Sequence, residues 1–176
     1  MKAKILTLSL AVLALGTVAL AKDGAGSTVP LSDPELVGLR SSLPSTDAFK
    51  NPSAELFFSR RVDAKGHNFF DGSGMFAFQG AHSPLHYVFS MRRISDFKDD
   101  GLTVWVKGSG SMYNSETKSS MDVLVELKFQ DNRNSGSAPG TPGDLFAIHF
   151  WKEKSDFNVI GSWNGADFKS VEIYRP

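Results

Sequence analysis

The chain contains no cysteine. It therefore has no disulfide staples, no thiolate nucleophile and no thiolate metal ligand. Positive charge is not in excess either, with 19 basic and 19 acidic residues. Nothing suggests a surface able to neutralise a phosphate backbone, so nucleic acid is not an expected partner. Gly-x-Ser-x-Gly, Gly-x-Gly-x-x-Gly, the phosphate loop and His-Glu-x-x-His are all missing. No motif points to nucleophilic, nucleotide or zinc-hydrolase chemistry, and the expectation is a protein that is not an enzyme. The one long apolar run, residues 5–18, is too short and wrongly flanked for a membrane span.

That run reads instead as the core of a secretory signal of bacterial type, residues 1–21. Lys2 and Lys4 precede it and Ala19-Leu20-Ala21 follows as a small-x-small cleavage pattern. Loss of this leader would leave a net charge of about −2. The expected address is exported: periplasm, cell surface or extracellular space, with no membrane-spanning segment in the mature chain. The remaining length suits one domain that can bury a core without disulfides, and 14 phenylalanines would supply much of it.

Residues 22–54 read as an extended or helical lead-in. Ser32-Asp33-Pro34-Glu35 has the form of a helix start, with a capping serine and proline in the first turn. Residues 55–176 read as the β domain. Val123, Val125, Leu127 and Phe129 alternate with polar partners, the period-two pattern of a half-buried strand. After a long Gly/Pro loop, 132–143, the run from Leu145 through Phe146, Ile148 and Phe150 to Trp151 is apolar on both faces, as in a strand covered on each side. Short strands are expected around Phe76, Val88 and Val104, with a turn at Asp99-Asp100-Gly101. Gly108 and Gly110 suggest a bulge or a close backbone approach. Asn164-Gly165 suits a type I′ turn and predicts a C-terminal hairpin between the segments around Ile160 and Ile173. The fold class is all-β: an antiparallel sandwich or flattened barrel of about 7–9 strands.

Several short motifs between Gly72 and Tyr174 carry a resemblance. They are Gly74-Met75-Phe76-Ala77-Phe78, Leu85-His86-Tyr87, Val106-Lys107-Gly108-Ser109-Gly110, the stretch around Val125-Glu126-Leu127-Lys128-Phe129-Gln130-Asp131-Asn132, then Pro142-Gly143-Asp144-Leu145-Phe146, and Ile160-Gly161-Ser162-Trp163-Asn164-Gly165. In this order they resemble the post-COAP-1-type domain of secreted bacterial proteins, with a longer loop at 133–141. The resemblance implies an exported β fold and no activity.

Three candidate sites follow from residue chemistry. Asp131, Asn132 and Asp144 bracket the 132–143 loop, and a calcium ion bound to their oxygens would tie its ends together; the same residues also suit turn capping. Trp163 and Tyr113, beside turn or Gly/Ser stretches, are expected at the surface and could offer faces to a sugar ring. Trp105 and Trp151 read as core. His82, His86 and His149 could supply three imidazoles to a metal, although Pro84 breaks the spacing of the first two. The reading is an exported, non-enzymatic envelope or extracellular module without a required cofactor. It binds or scaffolds a protein or glycan through a strand face or the 132–143 loop. The alternatives are a carbohydrate-binding module and a metal-dependent hydrolase using the histidines.

Overall fold

The computed structural model describes residues 30–80, 85–132, 143–164 and 171–175. The leader, His82, most of the 132–143 loop and Gly165 lie outside them. Nine strands form one antiparallel sheet: β1 (Glu35–Ser42), β2 (Phe49–Val62), β3 (Asn68–Gly80), β4 (His86–Asp99), β5 (Thr103–Asn114), β6 (Ser119–Gln130), β7 (Leu145–Trp151), β8 (Asn158–Asn164) and β9 (Glu172–Tyr174). The order across the sheet is β8-β7-β6-β5-β4-β3-β2-β1-β9, so eight strands run as a meander and β9 joins the far edge, against β1.

That order dictates a curl. Laid flat, nine strands would hold the two edges about 38 Å apart. The chain from Asn164 to Val171 reaches only about 25 Å when fully extended. The sheet therefore bends into a half-barrel, and its inner face becomes the core. Phe49, Phe76, Phe89, Phe129, Phe146 and Phe150 are fully buried there. Their rings meet across the barrel: Phe58 of β2 lies 6.3 Å from Phe129 of β6, and Phe76 of β3 lies 5.9 Å from Phe150 of β7. Near the seam Phe49 of β2 lies 5.7 Å from Trp163 of β8, whose Nε1–H donates to the Pro44 carbonyl at 2.7 Å.

Two details match the residue pattern. Gly108 and Gly110 sit where β5 passes close to β4; an added Cβ would lie 2.2 Å from the Arg93 carbonyl oxygen or 2.3 Å from that of Ser90. β4 is bulged on that flank, between Met91 and Arg93 and between Ile94 and Asp96. The Asp99-Asp100-Gly101 turn also forms, with Gly101 at φ 92° and Asp100 Oδ1 accepting from Leu102 and Thr103. The β3–β4 ladder runs only from Met75↔Ser90 to Gln79↔His86. Beyond it β3 stays with β2 and β4 with β5, so the barrel parts into two leaves at that end.

Four expectations are corrected. The helix start at Ser32–Glu35 leads into β1, which is a strand. Val37 and Leu39 point inward at a spacing of two, Gly38 disfavours helix, and β2 and β9 both offer ladders. The sheet thus begins at Glu35 and takes in residues assigned to the lead-in. The C-terminal hairpin is not formed: β8 and β9 occupy opposite edges, because β9 pairs with β1 and buries Ile173 in the core. Pairing at a distance overrides the local turn signal. Finally, β7 is covered on one face only. Phe146, Ile148 and Phe150 are buried, whereas Leu145, Ala147, His149 and Trp151 on the outer face are part-exposed.

The seam gives a direct test of packing. An added Cβ at Gly161 would lie 2.4 Å from the Phe49 ring, so Gly161→Ala is expected to destabilise by ~1–3 kcal/mol. Ser162→Ala, on the solvent side, should change stability by less than about 0.5 kcal/mol. Urea unfolding of Gly161→Ala, Phe49→Leu and the double variant should show a coupling of at least ~0.5 kcal/mol, because the smaller side chain relieves the clash.

Candidate functional site

The end of the barrel where β9 joins is held by one carboxyl group. Asp144, at the entrance to β7, is wholly buried. Its Oδ1 accepts the Asn132 backbone N–H at 3.1 Å, and its Oδ2 accepts the Val171 N–H at 3.0 Å. Asn132 in turn donates from Nδ2 to the Gly143 carbonyl at 2.8 Å and accepts from Gln130 Nε2 at 3.0 Å. Asn132 and Asp144 thus come together, and their hydrogen bonds tie the loop ends directly. Each Asp144 oxygen is turned to an N–H donor. Asp131 borders the adjacent cleft, and its charge acts on Arg175. Among the described residues, no group of three or more His, Cys, Asp or Glu is placed to hold a metal ion.

Two ion pairs staple the same end. Arg175, just past β9, grips Asp99 at the end of β4 with Nε and one terminal nitrogen, at 2.6 and 2.8 Å. Burial pushes the Asp99 carboxyl up. The hydrogen bonds from Arg175 and Gly101 and the charges of Arg175 and Arg60 outweigh it, holding the group below its ordinary value. The Asp99 hydrogen bond correspondingly holds the Arg175 guanidinium above its own. Arg60 is part-buried. It bonds Glu35 at 2.6 Å and the Phe97 carbonyl at 3.3 Å, and lies over the Phe97 ring at 5.6 Å. Glu35, part of the expected helix start, is thereby an ion-pair partner across the β1–β2 ladder.

Beside these staples lies a cleft of about 620 Å³. On the outer face, ladder register places Tyr174, Leu36, Ser59 and Asp71 in one row, and Glu172, Gly38, Phe57 and Ser73 in the next. The Phe57 ring lies across Gly38, where an added Cβ would come within 2.8 Å of it. Even so, Phe57 is 45% exposed, Leu36 42% and Tyr174 56%. Inward the cleft reaches Val37, Phe58, Val171 and Ile173, and Asp131 completes the wall. Asp71, Asp131 and Glu172 line it, with no Lys, Arg or His among the described lining residues. Elsewhere the outer face carries cross-strand charge pairs such as Lys107–Glu126 and Arg92–Asp122, both at 2.8 Å. Adjacent exposed apolar side chains over a cleft are the usual mark of a binding surface.

The other sequence candidates do not assemble. Trp163, expected at the surface, is 4% exposed and stacks on Phe146 at 5.5 Å, its N–H spent on Pro44. It faces the interior because strand alternation sets it beside Gly161 on the concave side. Tyr113 is exposed on the outer face, so these two present no common platform. Trp105 and Trp151 are part-exposed rather than core; Lys128 lies over the first at 5.8 Å and His149 sits 4.7 Å from the second. His86, on β4, lies beside Glu116, and His149, on β7, bonds Asn158 at 2.6 Å. Two strands separate β4 from β7, about 14 Å at the usual spacing. Sequence reasoning missed Leu36, Phe57 and Tyr174. Their signal is a break in alternation: Leu56-Phe57-Phe58 puts an apolar group on the solvent face of β2.

The Arg175–Asp99 staple is tested by pH. Because the folded value of Asp99 lies below the unfolded one, its contribution is fully present above its ordinary value of 3.8 and is lost as pH falls through the folded value. Arg175→Gln should therefore be less stable than the native chain near neutral pH, with the gap shrinking below pH 3.8. Urea unfolding at neutral pH and at pH 3 measures it, and an unchanged gap in acid would contradict the assignment.

Comparison of the chain with protein families, with curated proteins and with solved structures finds no match.

Proposed function

We propose that this protein is an exported, non-enzymatic binding module of the cell envelope or extracellular space, and that it holds its partner at the cleft over β9, β1 and β2. The observation that carries the reading is the exposure of Leu36, Phe57 and Tyr174 side by side over that cleft. A well-filled barrel has no packing reason to leave them in water. Export rests on the leader at 1–21. The spread of His86 and His149 over separate strands supports binding over hydrolysis, which needs acid, base and substrate groups in mutual reach. Among the described residues no helix is long and apolar enough to cross a membrane.

Amide NMR titration with peptide and oligosaccharide mixtures tests this. Shifts are expected at Gly38, Phe57, Ser59 and Glu172, and Phe57→Ser should weaken binding at least about tenfold, as loss of a central aromatic anchor does. Shifts confined to Tyr113 and Trp105 would move the site to the far outer face and favour the carbohydrate-binding alternative. Binding unchanged in Phe57→Ser would overturn the reading.

A further inference from the structure

Resting on that reading of the cleft, we infer that its ligand is an extended peptide whose apolar side chain is flanked on both sides by lysine or arginine. The cleft combines an apolar middle with carboxylates at its rim and no cation among its described lining residues. Asp71 on β3 and Glu172 on β9 stand at opposite corners, with Leu36 and Phe57 between them. Three strand spacings and two residues of rise separate these corners, roughly 16 Å. In an extended peptide, side chains two apart share a face, and positions i−2 and i+2 lie about 13 Å apart. An apolar residue at i over Phe57 thus places cations at i−2 and i+2 near Glu172 and Asp71, with their long stems spanning the remainder. A second copy docked two-fold on this face would bring carboxylates against carboxylates. Phosphate-bearing ligands meet the same repulsion, whereas a cationic peptide is drawn in.

The test uses three peptides of equal length with central Lys-Ser-Phe-Ser-Lys, Glu-Ser-Phe-Ser-Glu or Lys-Ser-Gly-Ser-Lys, followed by amide NMR at low and physiological salt. The first is expected to shift Gly38, Phe57 and Glu172 and to bind about tenfold more tightly than the second, with the advantage shrinking as salt rises. The third should bind at least tenfold more weakly than the first, since it lacks the anchor. The double variant Asp71→Asn, Glu172→Gln should lose the preference for lysine while keeping its melting temperature and its affinity for the apolar anchor. Equal binding of the basic and acidic peptides at the cleft would overturn this inference and leave the cleft as a binding site. No shift at the cleft with any peptide or oligosaccharide would overturn both.

Discussion

The short chain between Asn164 and Val171 is the constraint on which this architecture depends. It joins the two outermost strands of a nine-stranded sheet, so the sheet cannot be flat. Curling turns the inner faces of β1–β8 toward one another and gives the phenylalanines a shared interior. Asp144 fixes the result by binding Val171 and Asn132 together, so that β9 is delivered to β1 and not left to fold back on β8. A carboxyl group buried without such donors would be costly. Here two backbone N–H groups meet its two oxygens.

Closure of the seam and the shape of the cleft are linked through the same residues. β9 is only three residues long, yet Ile173 packs inward while Glu172 and Tyr174 form one wall of the cleft. Arg175 extends the strand into the Asp99 staple. The cleft therefore sits on a surface held rigid by the barrel core on one side and by ion pairs at its end. A flexible ligand held there would meet a largely pre-formed surface, which lowers the ordering cost of binding.

The strands were legible because their residues alternate. Val123, Val125, Leu127 and Phe129 announce β6, and each is buried as the period requires. The Gly108/Gly110 pair announced a close approach that β4 supplies. What was hidden depended on partners far away in sequence. Ser32–Glu35 satisfies the local rules of a helix start, and Asn164-Gly165 those of a hairpin. In both cases ladders to other strands, β2 for the first and β1 for the second, decided the structure. At the site, Asn132 and Asp144 were legible as loop-end residues from their Asx chemistry. Their link to Val171 was not, since nothing in the spacing of residues 144 and 171 reports that the barrel seam brings them together. Trp163 was misplaced for the same reason: as the partner of a hairpin it would be exposed, but as part of a seam-side edge strand it fills the core.

β9 is an integral strand of the curled sheet, held by Asp144, and not a frayed end. Hydrogen exchange at the Val171 amide, which donates to Asp144, tests this, because local opening free energies range from near zero at frayed ends to the global value in the core. That amide is expected to exchange as slowly as those of Val125 and Ile148 in the centre of the sheet. Rapid exchange at Val171, with protection intact through the meander, would show that the barrel stands without its ninth strand and would remove the basis for the cleft.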